Sequence, residues 1–335
     1  MQIRAGLIGA GNISETHARA LRAIPGAEVV AVCGANAEKV GRLCREHGGA
    51  AYHDFQAFLA HRPMEMVIIG SPSGRHAEQG IAAARQGLHV LTEKPIDTSV
   101  ERADALISAC EQAGVKLGVI FQDRFKPDLR RLKQLIAEGL IGKPILVDAR
   151  VKWYRPAEYY SQSRWRGTRG LDGGGALINQ GVHTVDLLLW LLGDVVKVQA
   201  RTAAMLHQIE TEDTALALLE FSSGALGQLQ ATTAAYPGYP RRVEITGSKG
   251  TIILEQDRIV AINLRTPYQG PISSEVADQN PSTSSPVVSD IRGHQSAIED
   301  FILAIEKDMT PACDGREGRK SLALVEAIYK ASGQR

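Results

Sequence analysis

Through the first third of the chain, mostly apolar runs alternate with stretches in which apolar residues recur every third or fourth position. Ile3 to Gly9, Val29 to Cys33, Met66 to Gly70, Leu88 to Leu91 and Lys116 to Phe121 are short runs that predict strands buried on both faces. Ser14 to Ala23, Glu38 to His47, His76 to Arg85 and Val100 to Ala113 carry the helical period, with a short helical turn near Asp54 to Ala60. Such alternation specifies a parallel sheet joined by right-handed crossovers. A doubly wound, dinucleotide-binding domain of Rossmann type is therefore expected over residues 1–122.

From residue 123 the texture changes. A helix (Pro127 to Glu138) and a long strand (Lys143 to Trp153) lead to a helix that stops at Gly193. Period-two alternation then marks strands at Val195 to Thr202, Ala215 to Phe221, Ala225 to Thr232, Arg242 to Thr246 and Thr251 to Leu254. These read as an open, mostly antiparallel sheet with one face on helices and the other free, a broad surface suited to self-association. Pro271 to Pro286 reads as a long polar loop, and His294 to Lys307 and Glu317 to Ser332 as two closing helices. The second domain, for substrate binding and oligomerisation, is expected to be α/β and to run over 123–335.

Composition narrows the class. With 335 residues, 44% hydrophobic, 22% charged and a formal net charge of +1, the chain suits two well-cored soluble domains and offers nothing that asks for nucleic acid or an anionic membrane. No basic and apolar leader precedes the first strand and no apolar stretch approaches a bilayer span, which gives a cytoplasmic expectation. Cys33, Cys44, Cys110 and Cys313 are scattered without ligand spacing and read as free thiols. No metal is expected.

At the first strand-to-helix turn stand Gly9-Ala10-Gly11-Asn12-Ile13-Ser14. Gly9 permits the tight turn and Gly11 lets a pyrophosphate approach the backbone, while the helix that follows aims amides and a positive dipole end at it. The second strand ends Cys33-Gly34-Ala35-Asn36, without the acid that would favour NAD over NADP; Lys39 could reach a 2′-phosphate or be an exposed helix residue, so the choice stays open. Ser71, Pro72 and His76 follow the third strand and Gln122 the fifth, all on the edge where ligands bind. For His76 ordinary packing and a cofactor contact are equally good readings. On the same edge Leu91-Thr92-Glu93-Lys94-Pro95 sets a lysine between an acid and a proline. The proline keeps Lys94 out of the helical region, and a cis bond is open to it.

Two further segments carry chemistry. Five of the eleven Tyr and Trp residues fall between Trp153 and Trp165, where Tyr154, Trp165 and Arg166 suit a polyhydroxylated or phosphate-bearing ring; a subunit interface would favour the same residue types. Gly173-Gly174-Gly175 then opens a helix on which Asn179 and His183 stand one turn apart, with Asp186 a turn further.

Taken together, Gly9-x-Gly11, Glu93-Lys94-Pro95 and the triple glycine leading to Asn179 and His183 resemble the glucose-fructose oxidoreductase, inositol dehydrogenase and rhizopine catabolism family, Gfo/Idh/MocA. The resemblance covers nearly the whole chain. It implies an NAD- or NADP-dependent enzyme that moves hydride to or from a ring secondary alcohol of a small carbohydrate or cyclitol, with Lys94, His183 and Asn179 at the reacting centre and a homodimeric or homotetrameric assembly. Many members carry Asp where this chain has Asn179, and the variant resembles the branch that oxidises nucleotide-linked or otherwise modified sugars. A redox-neutral glycosidase that oxidises the ring transiently is the alternative the same resemblance allows. A sensor that binds cofactor without catalysis is a third reading, set against the presence of both Lys94 and His183.

Overall fold

The computed structural model describes residues 2–270, 272 and 290–333. Two compact units emerge: residues 1–122 with 287–322, and residues 123–286 with 323–335.

The first unit is built on β1 (Ile3–Ile8), α1 (Asn12–Ala23), β2 (Ala27–Cys33), α2 (Ala37–His47), β3 (Ala50–Tyr52), α3 (Phe55–Leu59), β4 (Met66–Ile69), α4 (His76–Arg85), β5 (His89–Glu93), α5 (Val100–Ala113) and β6 (Leu117–Ile120). The strands form one parallel sheet in the order β3-β2-β1-β4-β5-β6. Strand order reverses direction between β1 and β4, so the chain leaves the sheet on opposite sides there and opens a crevice at the carboxyl ends. The apolar runs are what bury it: all four residues of β4 and of β6 are buried.

The second unit contains α6 (Pro127–Ala137), β7 (Pro144–Lys152), α7 (Ala157–Ser161), α8 (Val182–Leu192), β8 (Val195–Ala203), β9 (Thr214–Phe221), β10 (Leu226–Thr232), β11 (Arg242–Gly247), β12 (Gly250–Glu255) and β13 (Arg258–Leu264). Its sheet runs β13-β12-β11-β7-β10-β9-β8; β7 and β10 are parallel and every other neighbouring pair antiparallel. Val147, Ala149, Leu219, Leu229, Val243 and Ile245 bury one face. On the other, cross-strand register aligns Leu146 with Leu226 and Gln228 with Leu218, and Leu146, Leu216, Leu218 and Leu226 are all more than half exposed. Beside these leucines a ladder of ion pairs crosses three strands, from Asp148 through Arg150, Glu244 and Arg242 to Glu255.

Two differences from the sequence reading stand out. β3 and β13 were not expected; both are edge strands, where weak burial leaves little alternation to read. An uninterrupted second domain over 123–335 is not what forms. α9 (Arg292–Glu306) returns to the first unit and packs on α1, its Phe301 lying against Gly118 of β6, and α10 (Gly315–Ala331) runs across the division. The expected loop Pro271 to Pro286 lies, except for Ile272, outside the described residues. All four cysteines are free, and no helix among the described residues is long and apolar enough to cross a membrane.

Candidate active site

In the first unit Gly9 turns the chain at φ +109°, and α1 opens after Gly11 with no side chain capping it. A Cβ on Gly9 would lie 2.7 Å from the Gly70 carbonyl oxygen, so the turn admits glycine alone. A Cβ on Gly11 would meet nothing within 4 Å. That open space, beside the partial positive charge of an uncapped helix end and the exposed Asn12 and half-buried Ile13, fits a dinucleotide pyrophosphate. Asn36 accepts the Lys39 amide at 2.9 Å and thereby caps α2, while Lys39 itself is exposed. Ser71 donates to Gln79 at 2.6 Å and Pro72 leads into a 3-10 turn. The Oε1 of Gln122 is buried without a hydrogen-bond partner among the described residues, an acceptor left available to a ligand donor.

His76 and Glu93, both on the edge where ligands bind, face inward. His76 is 1% exposed, its Nδ1 2.9 Å from the Pro95 carbonyl and its Nε2 3.0 Å from that of Ser71, so it ties two loops together. Burial pushes the imidazole below its usual pKa, opposed by those carbonyls and by Asp97 and Glu93. Glu93 is likewise buried, with Oε1 2.9 Å from His17 Nε2 and 3.7 Å from His294 Nε2. This cluster, with ligand atoms of the three residues within 4.8 Å of one another, could not be read from sequence spacing, since its members come from α1, β5 and α9. Lys94 follows on the half-buried edge, and the Lys94–Pro95 bond is cis.

In the second unit the segment Leu177–Gly181 is wound as a π-helical turn running into α8. Asn179 and His183 are thus joined by a wider winding than the α-helical turn expected, a feature common at functional sites. Asn179 donates to Asp172 Oδ1 at 2.8 Å, and the other oxygen of Asp172 accepts the Gly167 amide at 2.8 Å. An aspartate at 179 would set two carboxylates against each other, which gives asparagine a local reason. Asp186 is spoken for: it pairs with Arg124 at 2.7 Å, both groups buried. The triple glycine answers to packing as well. Gly175 lies so close to Glu212 that a Cβ would fall 1.7 Å from its carbonyl oxygen, and the Glu212 carboxylate accepts the amides of Gly175 and Leu177 and the Tyr329 hydroxyl.

Beside His183 stands a group of charges that the sequence reading did not assemble. Asp123 Oδ2 lies 3.8 Å from His183 Nδ1, an electrostatic contact rather than a hydrogen bond. Asp123 also pairs with Arg241 at 2.7 Å and Lys126 at 3.0 Å, and both cations reach Asp257. Burial alone would raise the Asp123 carboxyl, but Arg241, Lys126 and His183 outweigh it and hold it well below the usual range. The imidazole therefore keeps an ionised carboxylate on its Nδ1 side, although Asn179 carries no charge.

The aromatic segment folds around two guanidinium groups. Arg166 lies 4.2 Å from the Tyr159 ring centre and 5.1 Å from that of Trp165, and Arg155 lies 5.6 Å from Tyr159. Arg155 is 3% exposed, and burial lowers its pKa. Arg166 makes no ion pair among the described residues, and its Nε is buried without an acceptor. Tyr159 accepts from Gln180 at 3.2 Å, so the cluster is tied to the turn that carries Asn179. Tyr154 packs edge-on against Tyr236, 5.2 Å between ring centres.

Comparison with known proteins agrees with these assignments of fold. Residues 3–121 match the NAD-binding Rossmann-fold domain of an oxidoreductase family, and residues 129–253 match the GFO/IDH/MocA C-terminal domain. Inositol 2-dehydrogenase of Rhizobium meliloti (strain 1021) is 28% identical over 100% of this chain and 98% of its own length. The 1,5-anhydro-D-fructose reductase of Ensifer adhaerens is 30% identical over 98% of this chain and 96% of its own. Among solved structures, the WlbA dehydrogenase from Bordetella pertussis, in complex with NADH and UDP-GlcNAcA, superposes with a TM-score of 0.89 at 35% identity, covering 99% of this chain and 97% of that one.

Proposed function

The chain belongs to the Gfo/Idh/MocA family of NAD-binding oxidoreductases, and from that membership we propose that it oxidises a ring secondary alcohol of a nucleotide-linked sugar acid. The observation that carries the substrate class is the pair Arg155 and Arg166 around Tyr159. Two guanidinium groups against aromatic faces, one of them without an ion pair among the described residues, suit an anionic sugar derivative better than a neutral cyclitol. UDP-GlcNAcA, the ligand of the 35% identical WlbA dehydrogenase, is of that class.

When bound, NAD supplies the hydride acceptor. His183 takes the proton of the reacting hydroxyl, with the ionised Asp123 carboxylate 3.8 Å from its Nδ1. Lys94 supplies an ammonium that stabilises negative charge developing in the reaction. Asn179 and the Asp172 bridge hold the π-helical turn that leads into α8, where His183 stands.

The test offers the purified protein and NAD a panel of UDP-GlcNAcA, UDP-GlcNAc and myo-inositol and follows reduced cofactor. UDP-GlcNAcA should be oxidised best, and Arg166→Ala should raise its KM by about one to two decades, the worth of a charge-assisted hydrogen bond. Equal turnover of the sugar without a carboxylate would overturn the assignment. Release of the aglycone from a glycoside without reduced cofactor would point to redox-neutral hydrolysis instead.

A homo-oligomer assembled through the free sheet face is part of the same proposal. Four half-exposed leucines beside a ladder of ion pairs form a self-complementary surface of the kind a two-fold axis uses. Light scattering at micromolar concentration should give at least a dimer, and Leu218→Asp should reduce its mass. A monomeric mass for the unaltered chain would rule the assembly out.

A further inference from the structure

Glu93 closes β5 with its side chain turned into the first unit, where it is 6% exposed. His17 of α1 is 0% exposed and lies 2.9 Å away through Nε2; its Nδ1 is buried without a hydrogen-bond partner among the described residues. An ionised carboxylate only accepts, so His17 donates to it through Nε2 and orients it. Burial alone would raise the Glu93 carboxyl, but the contact with His17 and the fields of His294 and Lys94 bring it down to about 2.

The other groups around this turn already have their own partners. Asp97 is buried, pairs with Arg102 at 2.6 Å and accepts the amides of Ala77 and Thr98. His76 spans the carbonyls of Pro95 and Ser71. His294 stands 3.7 Å from the same Glu93 oxygen as His17. The second Glu93 oxygen accepts the backbone N–H of Lys94 at 3.2 Å. One carboxylate thus holds both the backbone of Lys94 and, through its field, the adjacent ammonium, and an attraction that lowers the acid must favour the cation equally.

We propose that Glu93, oriented by His17, is a positioning residue that aims Lys94 and keeps it an ammonium. Its kinetic consequence rests on the role given to Lys94 above, but the electrostatic link does not. Glu93 then acts on the reaction through Lys94 and contacts neither cofactor nor substrate.

The test is competitive acetylation of the full-length, ligand-free protein with acetic anhydride across pH, reading the Lys94 peptide by mass spectrometry with exposed Lys39 as internal control. Glu93→Gln should lower the pH of half-labelling at Lys94 by about one unit or more and leave Lys39 unmoved. His17→Leu should shift it the same way, and His17→Gln, which retains an N–H, should restore most of it. Glu93→Asp keeps the charge but shortens its reach, so it should keep the half-labelling pH near that of the unaltered chain while turnover falls. It also serves where Glu93→Gln fails to fold. An unmoved midpoint in folded Glu93→Gln overturns the proposal, as does a zinc-dependent rise in melting temperature that His17→Gln abolishes, which would make the three side chains a metal site. A shifted midpoint with undiminished turnover would leave the link intact and remove Lys94 from the chemistry.

Discussion

Replacing Lys94 or His183 by alanine lowers turnover by about two to four decades and leaves the affinity for NAD nearly unchanged. Lys94 sits one residue past β5 and His183 at the start of α8, and neither belongs to the turn between Gly9 and α1 that fits the pyrophosphate. On the proposed roles, the His183 variant would lose the proton acceptor and the Lys94 variant the group that stabilises developing charge. Because groups that act as a unit are strongly non-additive, the double variant should be hardly slower than the slower single one. Losses that multiply would assign the two residues to separate steps. Single-turnover rates with calorimetric NAD titrations make the measurement, and loss of NAD affinity in either variant would contradict the assignment.

Gly11→Asp abolishes NAD binding while the fold survives. The position tolerates a side chain, since a Cβ there has no neighbour within 4 Å. What the carboxylate meets is the ligand. Two unit charges about 4 Å apart at an effective dielectric of about 20 repel by about 4 kcal/mol, or about three decades in affinity. Calorimetry should show no binding heat at NAD concentrations that saturate the unaltered chain, with a melting temperature for the ligand-free protein close to that of wild type. Gly9→Ala is the contrast, because its side chain would strike the Gly70 carbonyl and its backbone conformation admits no L side chain comfortably. Unchanged affinity in Gly11→Asp would show that the turn is not the phosphate site.

Much of this was legible in residue order because the relevant interactions are local. Buried parallel strands announce themselves as apolar runs, and a glycine turn before a helix is a statement about a few consecutive residues. Contacts made by distant segments were not legible. Asp123, Arg241 and Asp257 meet beside His183 only because β11 and the β12–β13 turn bring them there, and nothing in Pro240-Arg241-Arg242 or Asp257 taken alone signals it. The triple glycine correctly signalled a close approach, but Glu212 and Tyr329 occupy it. The π-helical turn at Leu177–Gly181 is invisible in a five-residue window, where the two helical periods differ by less than one residue. For His76 packing and a cofactor contact read equally well, and Glu93 lies on the same edge; which way a side chain points there depends on partners from α1, α9 and the Pro95 turn.

The return of α9 to the first unit has a consequence for anyone dividing the gene. A fragment ending at Gln122 would lack Phe301, leaving the Gly118 side of β6 bare, and would lack His294 beside Glu93. The cofactor-binding half is therefore not a cassette that one cut can release or transplant. An excised version has to carry α9 and the first part of α10, joined by a short artificial connection from Gln122 to Asp290, and a library that recombines relatives needs two crossover points rather than one.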